Sequence, residues 1–243
     1  MDTSHRASRR SRSTVLGIIA LTLAGAALAQ DAVPLPLKLP KPNFIGTPGD
    51  LAENPHLEKP LGKARPVPTV PAGTVNLSLK KPVTASNAPY SGTLAQITDG
   101  NKDAASGTTV ELKPRVQWVQ VDLGATSELS YILIWHFHEQ PVVFRDVIVQ
   151  VSSDAEFKTG VTTLFNNDYD DTAKADKVEG KTPNIQGLET GKNLEYVETN
   201  EGKLIPANKT KARYVRFYSR GSTFTDPLNR YTEVEVYGLP ISR

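Results

Sequence analysis

The chain has no cysteine among its 243 residues, and only one methionine and two tryptophans. Without cysteine there is no disulfide scaffold, no thiolate nucleophile, no cysteine-ligated zinc or iron–sulfur centre, and no lipid attached through sulfur. Signatures of catalysis are missing too. The sequence contains no GxSxG elbow, no HExxH helix, no phosphate-binding glycine loop and no dinucleotide fingerprint. Asp170 and Asp171 are adjacent carboxylates, but neighbours in a polar loop read as solvated charge rather than an acid/base pair. The chain therefore reads as a non-enzyme. Basic runs are also lacking. The formal charge is +2, from 28 Lys+Arg against 26 Asp+Glu, but four arginines and one acid fall within the first 29 residues. The remainder carries 24 basic and 25 acidic groups, a net of −1. A near-neutral body gives no electrostatic hold on nucleic acid or an anionic membrane.

What is present falls into three parts. Residues 1–29 read in the order of a secretory signal peptide: arginines at 6, 9, 10 and 12, an apolar run from Val15 to Leu23, and small residues ending Ala27-Leu28-Ala29. Cleavage is expected between Ala29 and Gln30, with export to the periplasm or the medium and no membrane insertion afterwards. The apolar run is short for a membrane anchor. Arg9-Arg10 hints weakly at twin-arginine export. Residues 30–72 form the second part, where ten of the eighteen prolines lie between Pro34 and Pro71. Proline removes backbone donors and restrains its predecessor, so no regular helix or sheet interior runs through them. Two forms fit: an extended spacer, or a strap in which Leu35, Leu37, Leu39, Phe44 and Ile45 pack along the folded domain.

The third part, residues 73–240, is rich in short runs of Val, Ile, Tyr, Phe and Thr: VQWVQVDLG from Val116, LSYILIWHFH from Leu129, RDVIVQVSS from Arg145, VTTLF from Val161, ARYVRFYS from Ala212 and YTEVEVYG from Tyr231. None sustains a helical period over three turns. The expected fold is all-β, two antiparallel sheets in a sandwich. Val215, Phe217, Val234 and Val236 should point inward, with Arg216 and Tyr218 outward. The polar stretch from Asn166 to Lys203 should form long loops on one rim.

The order NLSLKKPVTAS from Asn76, ITDGN from Ile97, WVQVDLG from Trp118, VQVSSD from Val149, ARYVRF from Ala212 and EVEVYG from Glu233 resembles the discoidin domain. That is the type C domain of coagulation factors V and VIII, related to the carbohydrate-binding modules of family 32. The resemblance implies a jelly-roll sandwich of the galactose-binding kind, non-catalytic, taking ligand on loops at one end. Its relatives bind sugars, lipids or proteins. The missing disulfide and the lack of apolar spikes lean toward the bacterial sugar-binding branch, with a glycan or polysaccharide as partner. The resemblance also implies a structural calcium ion held by Asp99, Asn101 and Glu233; Asp103, Thr98 and Thr232 can add oxygens. Read without the resemblance, Asp99-Gly100-Asn101 is equally an ordinary turn.

Ligand residues are sought among rings and short polar groups at the rim. On a strand His136 and His138 share one face, with Trp135 and Phe137 on the other. The two imidazoles read as exposed rings at a strand end, as donors to sugar hydroxyls, or as ligands of a transition metal shared with Asp168, Asp170 or Asp171. Glu139 follows and can serve any of these. Tyr90, Tyr169, Phe224 and Tyr231 can offer a sugar an aromatic face, with Arg220, Arg230, Asn166 and Asn229 as hydroxyl partners. The ligand set expected is His136, His138, Asn166, Asp168, Arg230 and Tyr231. An alternative without any sugar is an assembly protein of the cell envelope, contacting another protein through loops 166–203 and the proline-rich segment.

Overall fold

The structure, a computed structural model, describes residues 1, 31–44, 54–105, 107–176, 185–224 and 226–241. The chain divides into residues 1–30 and 31–243, and the expected signal peptide lies outside the described residues. Among the described residues no helix is long and apolar enough to cross a membrane.

Ten strands carry the fold: β1 (Ala32–Pro34), β2 (Thr69–Pro71), β3 (Val75–Asn76), β4 (Val83–Ala85), β5 (Val110–Leu112), β6 (Gln117–His136), β7 (Ile148–Ser152), β8 (Thr162–Asn166), β9 (Lys203–Ser219) and β10 (Asn229–Pro240). All named pairings are antiparallel. Among the described residues the helical content is a 3-10 turn at Leu94–Thr98 and one turn of helix, α1 (Thr172–Ala175).

The two long strands make the sandwich. β6 pairs with β9 twice: Gln117–Asp122 against Tyr214–Ser219, then Ser127–Ile134 against Lys203–Ala212, with the register broken between Asp122 and Ser127. Such breaks bend a strand and raise its twist. On one side of the bend β6 and β9 are flanked by β4, β7 and β8, and on the other by β10 and β3. The ladder folds over on itself, and a single apolar cluster fills the space between the halves. Val119, Val121, Val149, Val151, Val215 and Phe217 from one half meet Ile132, Ile134, Val234 and Val236 from the other. Val215, Phe217, Val234 and Val236 point inward as their alternation requires. Arg216 faces outward, its guanidinium over Trp118 and Phe157. Tyr218 also leaves the main core, yet it is buried, because α1 and the chain around it cover that outer face in a second cluster with Val116, Ile148 and Ala173.

The opposite outer face explains the proline-rich segment. Ile132 and Ile134 point into the core, so Leu133 and Trp135 must point out of it. A row of large apolar side chains there needs a cover. Residues 31–44 and 54–72 supply one: β1 pairs with β2, and Leu35 and Val70 bury themselves against Leu133, Trp135 and Tyr237. Polar ties reinforce the contact, with Arg65 donating to the Gly202 and Glu201 carbonyls at 2.6 and 2.7 Å and Asn200 Nδ2 to the Pro40 carbonyl at 3.0 Å. In its described residues the segment is a strap, with Leu37 partly buried and Leu39 exposed; Ile45 lies outside them.

Candidate functional site

The residues expected to meet a ligand are mostly closed inside the protein. His136 has no exposed surface: Nδ1 lies 2.6 Å from Glu198 Oε1, and the ring stacks on Phe144 at 4.3 Å and tilts against Tyr231. His138 is also buried, Nε2 taking the Lys102 carbonyl at 2.9 Å. Neither is the exposed ring that strand-end placement implies: Phe144, Tyr231 and Glu198 close over His136, and His138 turns inward to the Lys102 carbonyl. Among the described residues they form no cluster with the acidic loop tight enough to share a metal, although His136 Nε2 and His138 Nδ1 are buried without a partner. Tyr231 is core, its hydroxyl 2.8 Å from Ser219 Oγ. Arg230 is held by Glu111 and Asp226. Asn229 spends its amide on Ser219, Gly221, Lys113 and Arg115, and Asn166 ties Glu189 and Asp168. These side chains hold the loops that form the end of the sandwich. Tyr90 is the opposite case, 76% exposed beside Glu111.

The turn Asp99-Gly100-Asn101 does lie against Glu233: the Gly100 N–H donates to Glu233 Oε1 at 3.2 Å. Asp99 Oδ1 accepts the Asn101 N–H at 2.7 Å and Asn101 Oδ1 the Asp103 N–H at 3.1 Å, so both side chains brace the turn. Thr98 and Thr232 donate to the Lys81 and His136 carbonyls. Glu233 itself is buried and its Oε2 has no partner; burial pushes its carboxyl up to about 9. A buried carboxylate with a free oxygen, facing a turn of carbonyl and carboxylate oxygens, has the chemistry to hold a hard cation. Lys102 supplies a nearby positive charge, but it is spent on Glu235 at 2.7 Å.

A cleft of about 320 Å³ opens at the end of the sandwich where β6 begins, β7 begins and β9 ends. Its walls carry Tyr169, Arg145, Arg220, Asp146, Asp170 and Glu195, together with Asn54 and Leu57 from the strap. Tyr169 keeps 37% of its surface open, and His56 stacks on it with centroids 3.6 Å apart and planes 2° from parallel. The strap is fastened here by the Glu195 N–H to the His56 carbonyl at 2.7 Å, the Glu58 N–H to the Glu195 carbonyl at 2.8 Å, and Asn54 Nδ2 to Glu195 Oε2 at 3.0 Å. Of the residues expected from sequence, Tyr169, Arg220 and Asp170 meet in this cleft. Asp146, Arg145, Glu195, Asn54 and His56 were not anticipated. Asp146 had a faint signal, an acid just ahead of an apolar strand; Asn54 and His56 had none, being embedded among prolines.

At the base of the cleft three carboxylates converge. One oxygen each from Asp146, Asp168 and Asp170 lies within 4.8 Å of the others, the only such group of three metal-ligating side chains among the described residues. Asp146 leads into β7 and Asp168 and Asp170 follow β8, so the pairing of those neighbouring strands brings them together. Burial pushes the Asp146 carboxyl up to about 6, with its acidic neighbours adding to the shift, and raises that of Asp168 as well.

No family model and no curated protein matches the chain. Solved structures do. A fucose-binding module, SpX-3, of Streptococcus pneumoniae is 18% identical, with 68% of this chain covering 99% of that one at a TM-score of 0.44. The module CpGH89CBM32-4 of Clostridium perfringens, in complex with GlcNAc-α-1,4-galactose, is 16% identical over 70% of this chain and 97% of that one, TM-score 0.46. The lectin domain of lectinolysin, complexed with Lewis B antigen, is 16% identical over 68% and 98%, TM-score 0.44.

Proposed function

We propose that the chain is a non-catalytic glycan-binding module whose site is the cleft around Tyr169. The observation that carries this reading is the company Tyr169 keeps: an open aromatic ring, braced by His56, beside guanidinium, carboxylate and amide groups of both hydrogen-bonding senses. A pyranose presents apolar C–H groups on a face and hydroxyls at its edge, and such a wall answers both. The motif order of residues 73–238 supports the same reading. Binding should be modest, because a shallow cleft buries little area and sugar hydroxyls must surrender water. The order of residues 1–29 supports export, and the free buried oxygen of Glu233 supports a structural calcium beside Asp99, Asn101 and Glu233. Calorimetric titration against neutral and acidic oligosaccharides tests it. Binding that Tyr169→Ala removes is the expected result; absence of heat with every sugar class would overturn it.

A second reading, an envelope assembly protein, is favoured by a separate apolar groove where Leu39, Pro42, Phe44 and Leu61 of the strap meet Thr199 and Asn200. Leu39 and Leu61 there are 44% and 58% exposed. Capture of a stoichiometric protein partner that survives Tyr169→Ala and is lost in Leu61→Asp distinguishes it.

A further inference from the structure

We propose that Asp146, Asp168 and Asp170 form a divalent-cation site, suited to calcium, at the base of the cleft and separate from the turn beside Glu233. Proximity of acids alone says little; what points to a ligand is how poorly these three are satisfied. Asp168 is completely buried, and while its Oδ2 accepts the Ala173 N–H at 3.2 Å, its Oδ1 meets no hydrogen-bond donor, and its side-chain neighbour is another acid, Asp170. An ionised carboxylate oxygen left so is costly unless a positive charge faces it.

The hydroxyl of Thr172 makes a second, independent point. Its Oγ1 lies 2.8 Å from Asp146 Oδ2 and 2.7 Å from Asp170 Oδ1. A hydroxyl has one proton, so it donates to one carboxylate and turns a lone pair toward the other. Acceptors outnumber donors here. The cation at hand does not make up the deficit. Arg220 Nε is 3.7 Å from Asp146 Oδ2 and 3.4 Å from Asp176 Oδ2, and makes a hydrogen bond to neither. Arg220 therefore neutralises the three carboxylates only in part, and Arg145, on the same wall of the cleft, makes no ion pair with them.

The donor set selects the metal class. Three carboxylates without imidazole or thiolate suit a hard, oxygen-seeking ion rather than zinc or copper. Calcium fits better than magnesium, since it accepts irregular geometry and mono- or bidentate carboxylates, and Asp170, exposed toward the cleft, leaves coordination positions open to water or to a ligand hydroxyl. That last role rests on the glycan reading above; the cation site does not.

Calcium titration into the chelator-stripped full chain carrying Glu233→Gln, which silences the other candidate site, provides the test. A calcium-binding event is expected to remain, to weaken at least tenfold on adding Asp170→Asn, and to vanish with Asp168→Asn. Asp170→Asn changes an exposed side chain, so its fold can be verified by circular dichroism even where Asp168→Asn proves unstable. Crystals soaked in manganese should show an anomalous peak among the three carboxylates. No uptake by Glu233→Gln at millimolar calcium, an isotherm unmoved by Asp170→Asn, or a peak only elsewhere would overturn the site. Calcium uptake with no sugar retained would instead sink the glycan reading and leave the cation site standing.

Discussion

Gly202 sits against the indole of Trp135 so closely that a Cβ at position 202 would fall 2.5 Å from the ring. Its φ is +60°, a left-handed conformation that suits glycine. The contact fixes the turn entering β9, where Trp135 Nε1 donates to the Asn200 carbonyl at 3.0 Å and Arg65 takes the Gly202 carbonyl. Gly202→Ala is therefore expected to lower stability by roughly 2–4 kcal/mol, from overpacking and backbone strain together. Urea unfolding followed by tryptophan fluorescence measures it, and a loss below about 0.5 kcal/mol, the scale of a neutral surface change, would show that the indole moves aside.

Leu35 tests whether the strap is part of the fold. It is 3% exposed against Trp135 and Val70, and Leu35→Ala should cost about 2–3 kcal/mol if the surroundings do not collapse onto the gap. A freely solvated spacer would leave the unfolding midpoint unchanged.

Asp122 supplies a pH dependence. Its bidentate pair with Arg213, both contacts at 2.8 Å, holds its carboxyl below the usual range, with a further bond from the Gly124 N–H. A carboxyl whose folded pKa is depressed contributes stability above its unfolded value, roughly pH 4, and loses it as pH falls through the folded one. Because both groups are largely open to solvent, which screens the pair, the effect is small. Asp122→Asn should flatten the acid limb of the stability curve below about pH 4 and leave the neutral region slightly lowered. An unchanged acid limb would mean that the pair is too well solvated to matter.

Glu233 predicts the response to chelation. With calcium at 100 times its dissociation constant, ligand binding to the native state adds about 2.7 kcal/mol, so the melting temperature should fall when calcium is replaced by chelator. Glu233→Gln should remove the part of that difference owed to the Glu233 site while keeping the bond from Gly100, and leave the part owed to Asp146, Asp168 and Asp170. Equal shifts in the variant and the parent would assign the effect to Asp146, Asp168 and Asp170 alone.

Tyr169→Ala should weaken glycan retention by about tenfold, the worth of one stacked ring at about 1–1.5 kcal/mol, with thermal stability lowered only by the loss of the His56 stack. Tyr90→Ala is the contrasting variant: greater loss there would move the site to the other side of the same end.

The sandwich was legible because alternation is a local property. Val215 and Phe217, or Val234 and Val236, declare the inner face within a few residues. The same alternation turns Leu133 and Trp135 outward, and which segment covers them is not a local property. The turn at Asp99 and its approach to Glu233 came from the family resemblance, since nothing in the two segments separately links them. The cleft was read only in part. Tyr169, Arg220 and Asp170 stood out as loop residues, but whether a rim side chain stays open depends on what folds over it. His136 was covered by Phe144, Tyr231 and Glu198, Asp168 by the loop through Gly191, whose Cβ would lie 2.6 Å from Asp168 N. Asn54 and His56 join from more than a hundred residues away, beyond the reach of any local pattern.

That last attachment changes where the working unit begins. Cutting the chain at Gly73, the boundary that composition invites, would remove the lid over Trp135 and one bank of the cleft in a single stroke, so a fragment trimmed there would expose a greasy flank and present its binding end half-built.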